Sequence, residues 1–305
     1  MQTQHRSALR IGVIGSHGSW YVDRLCRDGR RRGHEMLPLS FDAMTAATVR
    51  GRLQLRFGDV SVESLDAVLV RTMPPGSLEQ VVSRMDMLSG AAELGVRIVN
   101  PPKAIECAVD KYLTTQRLAL AGVAVPDTIV CESSEQAMVA FEELGGDVVL
   151  KPLFGAEGRG IIRLTDRETA WRVFRTLERI GAVLYVQRFI RPANGRPPED
   201  VRILLLDGRV LGSMKRQPAT GDFRANAAQA GTCSAWIPTE EELALARKAA
   251  EVTGCVFCGV DLMYDECGCP NLIEVNAVPG WKALERTCGM SVTDDLFAWL
   301  EAELS

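Results

Sequence analysis

Two apolar runs near the C-terminal end carry oxygen-bearing side chains at spacings that suit a cation. The first is Gly259-Val260-Asp261 and the second Leu272-Ile273-Glu274-Val275-Asn276. Strand residues i and i+2 point to the same side of a sheet. Glu274 and Asn276 therefore face one way and Val275 the other. Between the runs, Asp265-Glu266-Cys267-Gly268-Cys269-Pro270 is rich in turn formers and folds the two strands into a hairpin. That hairpin sets Asp261 beside Glu274 and Asn276. Three oxygen ligands on a rigid surface suit a hard cation that keeps part of its water shell and binds phosphate, magnesium being the usual one. The same spacing also fits a sheet with charged positions on its solvent face.

A second group of residues can handle phosphate. Asp147-Val148-Val149-Leu150-Lys151 reads as a strand, followed by a loop with Gly155, Gly158 and Gly160 and a return strand at 161–164. Glycines let backbone N–H groups approach a phosphate closely. Lys151 enters the loop from the strand and can neutralise phosphate charge. Arg71 ends the apolar strand 66–71, at the C-terminal edge where open α/β sheets bind ligands. Its planar fork can hold a substrate carboxylate, or it is a solvated strand end. His17 sits in the turn Gly15-Ser16-His17-Gly18, a substrate-side or plain structural turn that lacks the remaining glycine of a dinucleotide fingerprint.

The elements that must position these groups follow from hydrophobic periodicity. Strand 9–14, the glycine turn and a helix from about Ser19 to Arg32 open an α/β unit. Strands follow at 35–39, 66–71 and 96–99, with a helix at 78–94. Asn100-Pro101-Pro102 marks the first boundary. A helical stretch runs from 103 to 121, a strand from 123 to 131, and a helix from 133 to 144 with Ser133 as its N-cap. After the glycine-rich hairpin come a helix at 166–179 and the strand 183–190, placed to line a flat apolar slot for a purine ring. The loop 191–199 leads to a strand from Asp200, a turn at Asp207-Gly208 and a return to Lys215-Arg216. A charged helix spans 238–253, and an amphipathic helix at 293–304 closes the chain. The fold class is α/β, opened by an N-terminal open α/β domain at 1–100.

Composition narrows the function. The chain has 305 residues, 47% hydrophobic and 24% charged, with 35 basic and 39 acidic residues and a net charge of −4. That balance argues against general nucleic-acid binding, which favours a basic face. No apolar run approaches the roughly 20 residues needed to cross a bilayer, and 11–14 is too short for a signal-peptide core. A cytoplasmic protein is expected. Nine cysteines, most in apolar surroundings, read as free thiols in a reducing compartment. Cys255, Cys258, Cys267 and Cys269 offer four thiols to a zinc ion, but the first pair lies inside the strand leading to Asp261, and the second pair's C-x-C spacing is unusual for such a site.

In order, the second half presents a lysine, a glycine-rich loop, an apolar slot, Asp-x-Arg, Lys-Arg, Arg-x-Asn, an aspartate and Glu-x-Asn. This closely resembles the ATP-grasp superfamily, and within it the RimK-like glutamate ligases, from about residue 9 to 303. The most specific parts are 148–152 with its loop, Gly221-Asp222-Phe223-Arg224-Ala225-Asn226, and Glu274-Val275-Asn276-Ala277-Val278-Pro279-Gly280. The resemblance implies two α+β subdomains that sandwich ATP, a central one at 101–190 with the glycine-rich loop and a C-terminal one at 191–305 with the metal site. It makes Lys111 and Lys151 the ATP-contacting lysines, and Gln187, Arg188, Phe189 and Ile190 the adenine segment. Asp200 and Arg202 fall in the nucleotide and phosphate region, with Lys215 among the cofactor-binding residues. Arg224 and Asn226 fall near the γ-phosphate, and Asp261, Glu274 and Asn276 ligate magnesium or manganese, usually two ions. Arg188 replaces a common glutamate, and Trp281 stands in a variant motif reminiscent of the pterin-cofactor ligases. Trp281 either stacks on a ligand ring or belongs to the core.

The implied activity is ATP-dependent carboxylate–amine ligation through an acyl-phosphate, with Arg202 and Arg224 as catalytic cations. The expected partners are a small-molecule carboxylate and an amine, L-glutamate first, with a pterin as one acceptor. Glutamate ligation to a protein C-terminus or another peptide is the alternative. A nucleotide-binding regulator without catalysis is the alternative of another class, and the intact cation and carboxylate set argues against it. The resemblance also suggests a homo-oligomer, a dimer or tetramer.

Overall fold

The computed structural model describes residues 8–155, 160–192, 199–218 and 231–305. The chain opens with β1 (Arg10–Ile14), α1 (Trp20–Arg31) and β2 (Glu35–Leu39). Next comes a small antiparallel sheet, β3 (Met44–Val49), β4 (Arg52–Phe57) and β5 (Val60–Ser61), in a stretch where the periodicity reading assigns no element. β3 and β4 join through Arg50 and Gly51, both at positive φ (51° and 74°), the geometry of a tight hairpin turn. β6 (Ala67–Val70), α2 (Leu78–Glu93) and β7 (Arg97–Val99) complete the first unit. Its parallel sheet has the order β2-β1-β6-β7. The four residues of β6 are all buried, as expected of a parallel strand covered on both faces.

The expected helical stretch 103–121 is two helices, α3 (Pro102–Val109) and α4 (Lys111–Leu120). Asp110 separates them at φ −91°, ψ 104°, and its carboxylate accepts hydrogen bonds from the backbone N–H groups of Tyr112 and Leu113. An aspartate that caps a new helix cannot also continue the old one. The break makes Lys111 the first residue of α4.

The second sheet comprises β8 (Thr128–Cys131), β9 (Val148–Lys151), β10 (Ile162–Leu164) and β11 (Leu184–Arg188), ordered β10-β9-β11-β8 and antiparallel throughout. α5 (Ser134–Glu143) and α6 (Arg167–Arg179) accompany it. Ser133 caps α5, accepting from the Gln136 N–H. β8 starts five residues later than the periodicity suggests, after Pro126, which has no N–H to give a ladder.

The third sheet has the order β14-β13-β12-β15-β16. Its elements are β12 (Asp200–Leu206), β13 (Arg209–Gln217), β14 (Thr232–Ala235), α7 (Glu240–Thr253), β15 (Phe257–Tyr264) and β16 (Pro270–Asn276). α8 (Lys282–Cys288) and α9 (Val292–Glu303) end the chain. The β12–β13 turn is Asp207-Gly208, both at positive φ. Thr239 and Glu242 form a reciprocal capping box at the start of α7.

Packing groups these elements in its own way. One apolar core joins Ile14, Val68 and Leu88 of the first unit to Val201, Ile203, Ala246 and Val260 of the third, with Ala104, Ile105 and Leu118 of α3 and α4. Another joins Ile11, Val13 and Leu25 to Leu204, Phe257, Trp281 and Phe297. The second sheet keeps a separate core, built from Ala137, Phe141, Leu150, Leu164, Phe174 and Val186. α3 and α4 thus pack with the outer units, not within the core of the central one.

Candidate active site

Strand alternation divides the third sheet into an apolar face and a face that is polar at one end. Val201, Ile203, Val260 and Leu262 turn into the first core. Their alternates, Asp200 and Arg202 of β12, Asp261 of β15 and Glu274 and Asn276 of β16, share the other face. Register aligns them: Arg202 pairs with Asp261, Asp261 with Glu274, and Gly259 with Asn276. The expected convergence of Asp261, Glu274 and Asn276 is present in this register.

Arginines dominate the row. Arg202 donates to Asp261 through both prongs, Nε to Oδ1 at 2.7 Å and a terminal nitrogen to Oδ2 at 2.6 Å. Arg216 of β13 does the same to Asp200, at 2.6 Å for both bonds. It also reaches Asp261 Oδ2 at 2.8 Å. Asp200, Arg216 and Asp261 are buried. Burial alone would raise both carboxyl pKa values. Asp261, facing Arg202 and Arg216, is nevertheless held down to about 2. Asp200 has only Arg216 directly on it and the Asp261 charge nearby, so burial pushes it up to about 6. Gly259 leaves room beside this cluster, since a Cβ there would stand 3.3 Å from the Pro279 ring and 3.6 Å from Arg202 Nε.

The second sheet contributes the opposing lysines. Val148, Leu150 and Val186 point into its core, which turns Lys151, Tyr185 and Gln187 to the other face. Lys151 Nζ is buried and donates to Gln187 Oε1 at 2.6 Å. Gln187 Nε2 donates in turn to Thr128 Oγ1 at 2.8 Å and the Tyr185 hydroxyl at 3.0 Å. Lys111, from α4, donates to the Gly155 carbonyl at 2.9 Å. Burial lowers the pKa of both lysines, Lys151 to about 8, while the Glu274 charge opposes that shift in each. Lys111, Lys151 and Glu274 therefore lie within electrostatic reach of one another, between the second and third sheets.

The remaining expected residues are placed as follows. Gly160 stands in the turn before β10 at φ 75°, where a Cβ would meet Pro152 at 2.8 Å. Gly158, Arg224 and Asn226 lie outside the described residues. Arg188 is exposed and pairs with Asp127 at 2.8 Å, and its N–H bonds the Asp127 carbonyl. Phe189 carries the Arg163 guanidinium 3.6 Å above its ring, and Ile190 beside it is half-buried. Arg163 and Arg191 both bind Asp147, whose carboxylate ties β9 to β10 and to the segment after β11. His17 is exposed in the turn before α1.

Other residues weighed for the site take structural positions. Lys215 faces away from Asp200 and Arg202, because it pairs with Val201. Its ammonium sits 3.7 Å from the Trp236 ring centre and 3.0 Å from Glu199. Its neighbour Arg216 holds the site-facing position, and its pairing with Asp200 decides between the two. Trp281 is fully buried against Tyr21 and Phe257 and has no face for a ligand. Arg71 lies over that ring at 4.4 Å and donates to the Pro279 carbonyl at 2.6 Å. It staples the first sheet to the turn after β16, and burial lowers its pKa to about 10. The four cysteines do not gather. Cys255 and Cys258 are buried, Cys267 and Cys269 are exposed, and about 20 Å of strand runs from Cys258 to Tyr264 before the second pair begins.

The donor set fits a hard cation. Among the described residues no three acidic, cysteine or histidine side chains form a metal cage, so the set is two carboxylates and an amide. Glu274 is half-buried with no hydrogen bond or ion pair among the described residues. The Asn276 side-chain oxygen accepts from the Val278 N–H at 2.9 Å and keeps a second lone pair. Asp261 has to share its oxygens with two arginines. Among the described residues no helix is long and apolar enough to cross a membrane.

The sequence and the fold have known counterparts. The family described as RimK-like ATP-grasp domain matches residues 108–300. A probable alpha-L-glutamate ligase of Maridesulfovibrio salexigens is 30% identical over 297 residues, covering 96% of this chain and 95% of that one. The tetrahydromethanopterin:alpha-L-glutamate ligase of Methanosarcina acetivorans is 31% identical over 326 residues, covering 96% and 98%. Among solved structures, the ATP-grasp ligase PsnB, complexed with a precursor variant, Mg and ADP, superposes with a TM-score of 0.76 at 20% identity, covering 97% and 98%. D-cycloserine synthetase DcsG gives 0.72 at 18%, covering 97% and 100%. The chain belongs to the RimK-like ATP-grasp family and is an ATP-dependent ligase.

Proposed function

We propose that this ligase joins L-glutamate to a small-molecule or cofactor-precursor carboxylate, a pterin derivative being the first acceptor to try. The observation that carries the reading is the cleft chemistry. Two lysines on one side face Glu274, and the Arg202–Asp261–Arg216 row occupies the same polar face as Glu274. The glutamate and pterin assignments draw on the names of the relatives, which match this chain almost end to end.

In this reading, the acceptor carboxylate attacks the γ-phosphorus of ATP, and ADP leaves. The amine of glutamate then attacks the acyl carbon and expels phosphate, losing a proton as the amide forms. Lys111 and Lys151 bind phosphate oxygens. Arg202 and Arg224 face charge that grows on the transferred group, where preorganised cations act most strongly. Glu274, Asn276 and Asp261 would hold magnesium, two ions in the proposed arrangement, which supplies charge neutralisation when bound. Gln187, Arg188, Phe189 and Ile190 line the base, with Gln187 also fixing the Lys151 ammonium. Asp200 and Arg216 act beneath this layer, setting the position of Asp261.

The test is phosphate release from ATP and Mg²⁺ with L-glutamate across a panel of carboxylate acceptors that includes pterins and peptides. Product mass is read in parallel, with Glu274→Ala as control. An acceptor-dependent signal with a gain of one glutamyl unit, lost in the control, supports the reading and names the acceptor. ATP binding without turnover on any pterin or other small carboxylate, combined with turnover on a peptide, replaces the acceptor class. ATP binding with no turnover on any member of the panel rejects the proposed glutamate transfer.

A further inference from the structure

The Arg71 guanidinium is buried without an acid. Arg202 and Arg216 each hold a carboxylate through both prongs. Arg71 instead lies 4.4 Å from the Trp281 ring centre and 5.2 Å from that of Tyr21, and spends one terminal N–H on the Pro279 carbonyl. Its Nε is buried with no hydrogen-bond partner. Burial dominates its electrostatics, and no carboxylate offsets that burial. A cation held this way opposes folding, and ring faces and one carbonyl compensate only part of the cost.

Its position in the first unit is one where open sheets take ligands. In the order β2-β1-β6-β7, the chain leaves β1 toward β2 and returns to β6 on the other side of β1. α1 and α2 cover opposite faces, Leu25 packing with Ile11 and Val13, and Leu88 with Ile14 and Val68. The carboxyl ends of β1 and β6 therefore border a switch-point crevice. Arg71 follows β6 there, and its N–H bonds the Ile14 carbonyl at 2.7 Å. The turn 15–19 leaves β1 beside it, since a Cβ on Gly15 would stand 3.7 Å from that of Arg71. The same Cβ would collide with Val22, so glycine lets this turn lie close against the start of α1. Ser19 occupies the N-cap of α1 but its side chain makes no capping bond, which leaves first-turn N–H groups open to an anion. Tyr21, whose ring carries Arg71, belongs to that turn. Asp23, the acid of the turn, is exposed. Lys282 adds a second cation nearby, 5.3 Å from the Trp20 ring centre.

We propose that this crevice holds a carboxylate of the incoming amino acid, between Arg71 and the first turn of α1. The inference rests on the glutamate reading above and names where glutamate is held. Pro279, to which Arg71 bonds, neighbours Arg202 across Gly259, where a Cβ would stand 3.3 Å from the one and 3.6 Å from the other. Arg71 is thus one residue removed from a cation assigned to the transferred group. The acceptor carboxylate gives up its charge when it is phosphorylated, and the phosphates have Lys111 and Lys151. The carboxylates of the incoming amino acid keep their charge through amide formation, so a fixed cation serves them throughout. A bound carboxylate also supplies the acid that Arg71 lacks.

The test titrates L-glutamate into the full chain with Mg²⁺ and AMPPNP by calorimetry, and reads KM for glutamate and for ATP separately by phosphate release. Arg71→Lys keeps the charge and loses the planar fork. It is expected to weaken glutamate binding by about tenfold or more, with KM for ATP unchanged. Ser19→Asp gives α1 a carboxylate of its own. It is expected to raise the urea midpoint, as a better cap, and to raise KM for glutamate by about tenfold or more. A purely structural corner predicts the first effect without the second, so this variant decides even if Arg71→Lys does not fold. Unchanged glutamate affinity in either folded variant, alongside glutamate-dependent turnover in the wild type, overturns the inference and leaves the proposed function standing. A wild type that neither binds nor uses L-glutamate overturns both.

Discussion

Replacing Arg216 with methionine tests the electrostatic account of the third sheet. Methionine keeps much of the apolar stem and removes the guanidinium. Asp200 loses its bidentate partner and Asp261 one of its two arginines. Removing one side of a buried ion pair costs about 3–5 kcal/mol, because a charge is left buried without compensation. The pH dependence separates this cause from a simple packing defect. In the wild type, burial has already raised Asp200 from the ordinary 3.8 to about 6. A raised acid favours the folded state in its protonated form, so this group's contribution falls as pH rises from about 4 to its folded pKa and is level beyond. Without Arg216 the folded pKa moves higher, and the decline continues above pH 6 at up to about 1.4 kcal/mol per pH unit. Urea unfolding of both proteins at pH 5.5, 6.5 and 8, without nucleotide or divalent cation, measures it. The gap between them is expected to widen with pH. The double variant Arg216→Met with Asp200→Leu is expected to regain most of the loss while remaining impaired in turnover. A gap that is the same at all three pH values, or a double variant no better than the single one, refutes the reasoning.

Lys151→Met is expected to weaken ATP binding by about tenfold to a hundredfold, the worth of one charged hydrogen bond, and to leave the urea midpoint at pH 7 unchanged or higher, since a charged buried lysine opposes folding below its lowered pKa. With Lys151 at about 8, wild-type ATP affinity should fall between pH 7.5 and 9 as the ammonium loses its proton, and calorimetry should find a flatter profile in the variant. Asp147→Asn releases Arg163 and Arg191 and costs about 2 kcal/mol. Burial opposes ionisation of Asp147, but the two arginines hold its pKa below the ordinary carboxylate value, so its contribution is complete above that value and is lost as pH falls through the lowered one. Circular dichroism between pH 5 and 2 should reveal that step in the wild type only. Trp281→Ala should cost about 3–5 kcal/mol as a core truncation, whereas Trp281→Phe, if it folds, should leave the KM for every substrate unchanged in a steady-state assay.

The sequence made the strands and their alternation legible, and with them the face shared by Asp261, Glu274 and Asn276. Side-chain parity follows from the period of two, so a hairpin with the right turn residues predicts convergence without any tertiary information. Lys215 and Arg216 mark the limit of that reasoning. Both are cations at the end of the same strand, and only the pairing of Asp200 with Arg216 decides which one faces the site. The cap at Asp110 was hidden by the helical periodicity on either side of it. The small sheet at 44–61 shows little alternation in β3, where five of six residues are exposed, so hydrophobic pattern carried no signal there. Trp281 was ambiguous because an aromatic after a proline-glycine turn suits a ligand ring as well as a core. Its burial comes from α1 and β15, elements remote in sequence.

The division of the cores gives the site its mechanical character. The carboxylates stand on a sheet whose two faces are bound into cores shared with the first unit, and Arg71 fastens the turn that follows Glu274 and Asn276. Lys151 stands on a sheet with a core of its own. Among the described residues the bonds between these bodies include the Lys111 ammonium to the Gly155 carbonyl, the Lys111 N–H to the Leu153 carbonyl at 3.4 Å, and the Thr115 hydroxyl to that of Tyr185 at 2.8 Å. Shared apolar burial resists separation far more than a few exchangeable hydrogen bonds do. Lys111 belongs by packing to the carboxylate side yet bonds to the glycine-rich segment of the other. The Lys111 ammonium spends one of its three N–H donors on the Gly155 carbonyl and keeps two, so one side chain can tie α4 to the glycine-rich segment and still serve an acceptor in the cleft.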